Sequence, residues 1–145
     1  FATFELVDDV AFFDELIASL ISQYDIDTDR VWVVGHSNGG MMAYRLACEL
    51  STRVTAIGVA AGALVIDTCA PARPVSALHV HGELDTVVPL TGGNSLGIVF
   101  PSTQLSVETF ALANKGDIKL VTDTKWSHDW QPEWSELFAL FLASK

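Results

Sequence analysis

The hexapeptide Gly35-His36-Ser37-Asn38-Gly39-Gly40 constrains the fold more than any other part of the chain. It follows a short apolar run, Val31-Trp32-Val33-Val34, and precedes a helix-like stretch from Met41 to Leu50. A G-x-S-x-G pattern set between a strand and a helix is a nucleophile elbow, a sharp turn that lifts the serine hydroxyl out of the sheet edge. Glycine is expected at both flanks, because a side chain there would meet the neighbouring strand or helix. Ser37 is thereby the candidate nucleophile. The competing reading, a Gly-rich turn with an incidental serine, is weakened by the strand before it and the helix after it.

The rest of the chain alternates in the same way. Asp8 to Tyr24 reads as an amphipathic helix, with Val10, Phe13, Leu16, Ile17, Leu20, Ile21 and Tyr24 on one face. A polar connection, Asp25 to Arg30, leads to the elbow strand. Strands are expected at Thr55–Ala61, Ala77–His81 and Ile118–Val121. Ser102 caps a helix that runs to about Asn114 and is ended by Gly116, and Pro132 opens a last helix to Ala143. Strands alternating with helices imply an α/β fold: a mainly parallel sheet of about four strands with helices on both faces. The 145 residues read as a single domain, 1–145, with no repeat or internal boundary.

Composition narrows the partners. Eighteen acidic against 8 basic residues give a net charge of −10, which argues against nucleic acid or an anionic membrane surface. Half of the residues are hydrophobic, yet no run reaches the ~18 needed to span a membrane. The chain opens Phe1-Ala2-Thr3-Phe4, as a trimmed, processed or partial chain would. Cys48 and Cys69 are either a disulfide or two buried thiols. Their loop, if closed, would restrict the unfolded chain by roughly 3 kcal/mol. No Cys/His spacing matches a zinc site, and neither metal nor cofactor is expected.

A serine hydroxyl needs a base to take its proton and an acid to orient that base. In a parallel sheet both belong at the carboxyl ends of later strands. Asp85 follows the third strand in His81-Gly82-Glu83-Leu84-Asp85, with Glu83 and Asp123 as competing acids. His128 follows the fourth in Lys125-Trp126-Ser127-His128-Asp129-Trp130. His36 is fixed in the elbow and would point away. His79 and His81 share one strand face, where rings bonded to backbone are expected rather than a metal pair.

The segment Ser37 to Glu49 resembles the nucleophile region of the polyhydroxybutyrate depolymerase and feruloyl esterase family of α/β-hydrolases. Leu78-His79-Val80-His81-Gly82 through Asp85 to Pro89 is similar to that family's acid loop, and Val7-Asp8-Asp9-Val10 to the start of the helix before the elbow strand. The resemblance implies Ser37 as nucleophile, Asp85 as orienting acid and His128 as base. It also implies the backbone N–H of Asn38 as an oxyanion donor, and secretion. Ser127 departs from the glycine that usually precedes the family's histidine, while Trp130 matches.

The resemblance further implies strands upstream of the first helix, carrying a second oxyanion donor that a chain beginning at Phe1 does not contain. The expectation is therefore a truncated α/β-hydrolase fold with an incomplete oxyanion hole. The free edge of the Val31–Val34 strand would be covered by Phe1–Leu6 folding back or by a homo-oligomer, which is the favoured solution. The leading function is serine hydrolysis of a small or polymeric carboxylic ester, with short acyl or aryl groups preferred. Trp126 and Trp130, beside His128, would stack on an aryl group. Two alternatives stand beside it: a peptidase of the prolyl-oligopeptidase type, which shares G-x-S-x-G-G, and a decayed hydrolase kept as a binding or assembly module.

Overall fold

The computed structural model describes residues 7–145. Phe1–Leu6, offered above as a substitute strand, lie outside the described residues. Helix α1 spans Asp9–Gln23, and Asp8 caps it by accepting from the N–H of Ala11. A 3-10 turn at Thr28–Arg30 leads into β1, Trp32–His36. Then follow α2 (Asn38–Glu49), β2 (Ala56–Ala60), β3 (Ser76–Gly82), β4 (Gly93–Ser95) and β5 (Ile98–Phe100). The chain closes with α3 (Thr103–Ala113), β6 (Ile118–Asp123) and α4 (Pro132–Ala143).

Four strands form one parallel sheet in the order β1-β2-β3-β6. Strand alternation sends Ile57, Val59 and Ala77 to one face, where they pack with Tyr44 and Leu46 of α2 and Phe110 of α3. Ala56, Ala60, Leu78 and Val80 point to the other face and meet Trp134, Phe138, Phe141 and Leu142 of α4. Each fully buried Leu or Phe of these layers contributes about 1.5–3 kcal/mol. Gly58 makes the α4 layer possible, since a Cβ there would lie 2.6 Å from the Phe138 ring. All carboxyl ends of the strands share one rim, and the loops on that rim carry Ser37, Asp85 and His128.

Two expectations need correction. Only Val10, Phe13 and Ile17 of α1 pack against the core, while Leu16, Leu20 and Tyr24 are exposed. The helix rests its inner stripe on the α2 layer, and that stripe is narrower than the sequence pattern suggested. Gly116 does not end α3; the helix stops at Ala113 and is capped by Asn114, whose amide both accepts from Val75 N–H and donates to Val75 C=O at 2.7 Å. The hairpin of β4 and β5 was not anticipated. Its two-residue loop, Leu96-Gly97, has φ of 52° and 75°, the positive pair that a tight primed hairpin turn requires. Cys48 and Cys69 form a disulfide, which ties the end of α2 to the loop after β2.

Candidate active site

Ser37 occupies the turn between β1 and α2 with φ 56° and ψ −119°, a conformation that side chains rarely adopt. Such strain costs on the order of 1–3 kcal/mol and persists only where the surroundings enforce it. Here the Ser37 N–H donates to Ala60 C=O at 2.8 Å, and its carbonyl accepts the first α2 bond from Met41 N–H. Gly35 lets the turn close: a Cβ there would lie 2.0 Å from Gly39 C=O. The expectation for the other flank is corrected, because a Cβ on Gly39 would meet nothing within 4 Å. Asn38 opens α2, so its backbone N–H is among the helix donors without an intrahelical partner.

Asp85 sits one turn beyond β3. Asp85 is 5% exposed, and its Oδ1 accepts from the N–H groups of Val87 and Val88, each at 2.8 Å. Its Oδ2 faces His128 Nδ1 at 2.8 Å and His81 Nε2 at 3.3 Å. Burial pushes the carboxyl upward, but the hydrogen bonds from His81, His128, Val88 and Val87 outweigh it and bring the pKa to about 2. Asp85 is thus a carboxylate throughout the neutral range.

His128 joins Asp85 to Ser37. With Nδ1–H donated to Asp85, its Nε2 presents a lone pair 2.9 Å from Ser37 Oγ. The loops that bring these groups together are pressed backbone to backbone. Glu83 N–H donates to Asp123 C=O and Leu84 N–H to Trp126 C=O, both at 3.0 Å. A Cβ on Gly82 would lie 2.2 Å from Trp126 C=O.

The competing groups are placed elsewhere. Glu83 accepts from the Thr122 hydroxyl at the surface, and Asp123 caps its own turn through Lys125 N–H. His36 donates Nε2–H to the carbonyl of His128 at 2.6 Å. His79 and His81 are fully buried and bonded to each other. Among the described residues no His, Cys, Asp and Glu side chains are grouped as a metal site.

The two tryptophans separate. Trp130 is 41% exposed and lies edge-on to His36 with 6.1 Å between ring centres. Trp126 is 8% exposed and packs edge-on into Trp134 at 5.6 Å. It belongs to the α4 layer, and its expected place against a substrate is corrected accordingly. Sequence reasoning missed a cleft of about 800 Å³ that starts at Asn38 and Met41 and runs past Met42 and Arg45 to Ile66. It also missed the reach of His36 to a residue 92 positions away, which no local pattern encodes.

A family model described as phospholipase/carboxylesterase matches residues 6–112. Feruloyl esterase C of Emericella nidulans is 34% identical over 95 residues, covering 66% of this chain and 35% of that protein. Feruloyl esterase D of Neurospora crassa is 34% identical over 89 residues, covering 61% of this chain and 31% of that protein. The chain thus spans about a third of the length of these curated relatives. Among solved structures, esterase PE8 superposes with a TM-score of 0.68 at 21% identity, over 91% of this chain and 58% of its own. The Bacillus cereus carboxylesterase superposes with a TM-score of 0.70 at 11% identity, over 93% of this chain and 59% of its own. Together with the parallel sheet and its flanking helices, these likenesses show an α/β-hydrolase fold.

Proposed function

The chain belongs to the phospholipase/carboxylesterase family, and from that premise we propose that it hydrolyses carboxylic esters through a serine acyl-enzyme. One observation carries the reading: a continuous hydrogen-bonded line from Asp85 Oδ2 through the His128 ring to Ser37 Oγ, with steps of 2.8 and 2.9 Å. In this reading Ser37 Oγ attacks the ester carbonyl while His128 Nε2 takes its proton. The tetrahedral oxyanion is met by the N–H of Asn38. His128 then gives the proton to the departing alkoxide, which leaves as an alcohol, and the acyl group stays on Ser37. Water repeats the sequence, releasing the acid and restoring the hydroxyl. Asp85 stays ionised and holds the imidazole.

Asn38 N–H is the oxyanion donor that the described residues offer, and loss of one such donor costs about 10²–10³ in kcat. Short acyl or aryl esters suit the site. Trp130 offers an exposed aromatic face beside the elbow, and the relatives include feruloyl esterases. The test is covalent trapping. A phosphonate ester should add one label per chain, on the Ser37 peptide and not on S37A. Labelling elsewhere, or none, would remove the reading. Hydrolysis of an amide as fast as its matching ester would instead favour a peptidase.

Two further proposals concern the setting. The outer edge of β1 has no strand partner among the described residues, and Val34 on it is 44% exposed. A homo-oligomer that covers this edge is our reading, and sedimentation at micromolar concentration showing a compact monomer would sink it. The Cys48–Cys69 disulfide fits an oxidising compartment and hence secretion. Recovery of the native protein with both thiols free would count against that.

A further inference from the structure

Among the buried polar side chains that the reaction above leaves unused are three that touch one another. Tyr44, His79 and His81 have no measurable exposure and lie in the layer between the sheet and α2 and α3. They form a chain: Tyr44 hydroxyl to His79 Nδ1 at 2.9 Å, then His79 Nε2 to His81 Nδ1 at 3.1 Å. His81 Nε2 reaches the carbonyl of Val88 at 2.8 Å and lies 3.3 Å from Asp85 Oδ2. Thr103 of α3 approaches His81 Nδ1 from the side at 3.1 Å.

Burying two imidazoles and a phenol is costly unless each donor finds an acceptor. That condition fixes the protons. The Val88 carbonyl can only accept, so His81 carries a hydrogen on Nε2. Among the described residues the Tyr44 hydroxyl has its hydrogen-bond partner in His79 Nδ1, so its hydrogen goes there. His79 then bears its proton on Nε2 and donates it to the bare Nδ1 of His81. The opposite arrangement, with His81 doubly protonated, would turn His79 round and leave the Tyr44 hydrogen in the core without an acceptor. Burial first, and the neighbouring His81 second, hold His79 well below the ordinary histidine range, as the uncharged pattern requires.

We propose that Tyr44, His79 and His81 form an uncharged, one-directional hydrogen-bonded chain that positions the acid loop, with His81 as the positioning residue for Asp85. His81 grips that loop in two ways. It holds Val88 by its carbonyl, while the N–H of the same Val88 holds Asp85 Oδ1 at 2.8 Å. It also sets a donor hydrogen beside Oδ2, the oxygen that receives His128. The groups facing His81 are therefore Asp85, His79, Thr103 and the Val88 carbonyl. Its role toward the reaction rests on the esterase reading, but the proton pattern does not.

Side-chain nitrogen NMR of the full chain tests the pattern directly. At neutral pH both His79 and His81 should carry their proton on Nε2 with Nδ1 bare. A proton on Nδ1 of either ring overturns the proposal whether or not the protein cleaves esters. The variants H81F and H81Q test the positioning. On p-nitrophenyl acetate, kcat of H81F should fall about tenfold with KM within twofold. Glutamine can restore a donor at the same place, and H81Q should return kcat toward wild type. A folded H81F with wild-type kcat contradicts the role. If H81F does not fold, H81Q and the wild-type proton pattern decide. Absence of turnover in the wild type would remove the esterase reading and leave the proton pattern standing.

Discussion

His36 Nε2 lies 2.6 Å from the carbonyl oxygen of His128, so the residue just before Ser37 holds the backbone of the ring that faces Ser37 Oγ. The two rings are also in contact, with centres 5.0 Å apart. The elbow and the base loop therefore cannot shift independently. Because a misplacement of about 1 Å can cost about 10² in rate, H36F should lower kcat roughly 10- to 100-fold with little change in KM. H36Q, which keeps a donor, should recover most of that loss. Steady-state kinetics of the two variants settles it, and a wild-type kcat in H36F would show that the contact is dispensable.

Asp85, rather than Glu83 or Asp123, faces His128. D85N should keep the geometry but hold the imidazole in the wrong tautomer, for a loss of about 10⁴ in kcat. E83Q and D123N should stay within about twofold of wild type, since Glu83 bonds the Thr122 hydroxyl and Asp123 its own turn, both at the surface. Comparison of the three variants on one ester checks the assignment, and a large loss in E83Q would overturn it.

The elbow was legible because its signal is local: four apolar residues, two spaced glycines and an apolar helix lie within twenty positions. Asp85 and His128 were legible as positions, each just past a strand, because a parallel sheet gathers those ends on one rim. Contacts between loops were not legible. Nothing near Trp126 says that it turns inward onto Trp134 while Trp130, four residues on, stays outside. Gly82 looked like part of a motif, yet its lack of a Cβ is what lets the acid and base loops touch. The short β4–β5 hairpin escaped because three-residue strands carry almost no periodicity.

Acid should weaken the fold in two steps. Asp85 titrates at about 2 in the native state against 3.8 for the free side chain. Its contribution, on the order of 2 kcal/mol, is complete above pH ~4 and lost as pH falls toward ~2. His79 is held well below its ordinary 6.5, so between that value and its native titration only the unfolded chain takes a proton. Stability from this group therefore falls as pH drops below 6.5, by ~1.4 kcal/mol per pH unit at most. Urea midpoints at pH 7, 6 and 5 should decline in the wild type and less steeply in H79Q. Equal slopes would contradict the buried neutral histidine.

Trp126 and Trp130 should behave differently when truncated. Trp126→Ala opens the layer under α4 and should cost about 3–5 kcal/mol of stability. Trp130→Ala should change stability by less than that and raise KM for an aryl ester more than for an acetyl ester. Thermal unfolding paired with kinetics on both esters distinguishes them. Equal destabilisation by both variants would contradict the separation.

The central claim is that Ser37 becomes acylated with His128 as its base. Pre-steady-state release of p-nitrophenol from p-nitrophenyl acetate and butyrate measures this directly, with S37A as the control. The account predicts a burst approaching one equivalent of active sites, followed by slower turnover, with both lost in S37A. Release that persists in S37A, or no release from the folded wild-type chain, would contradict it.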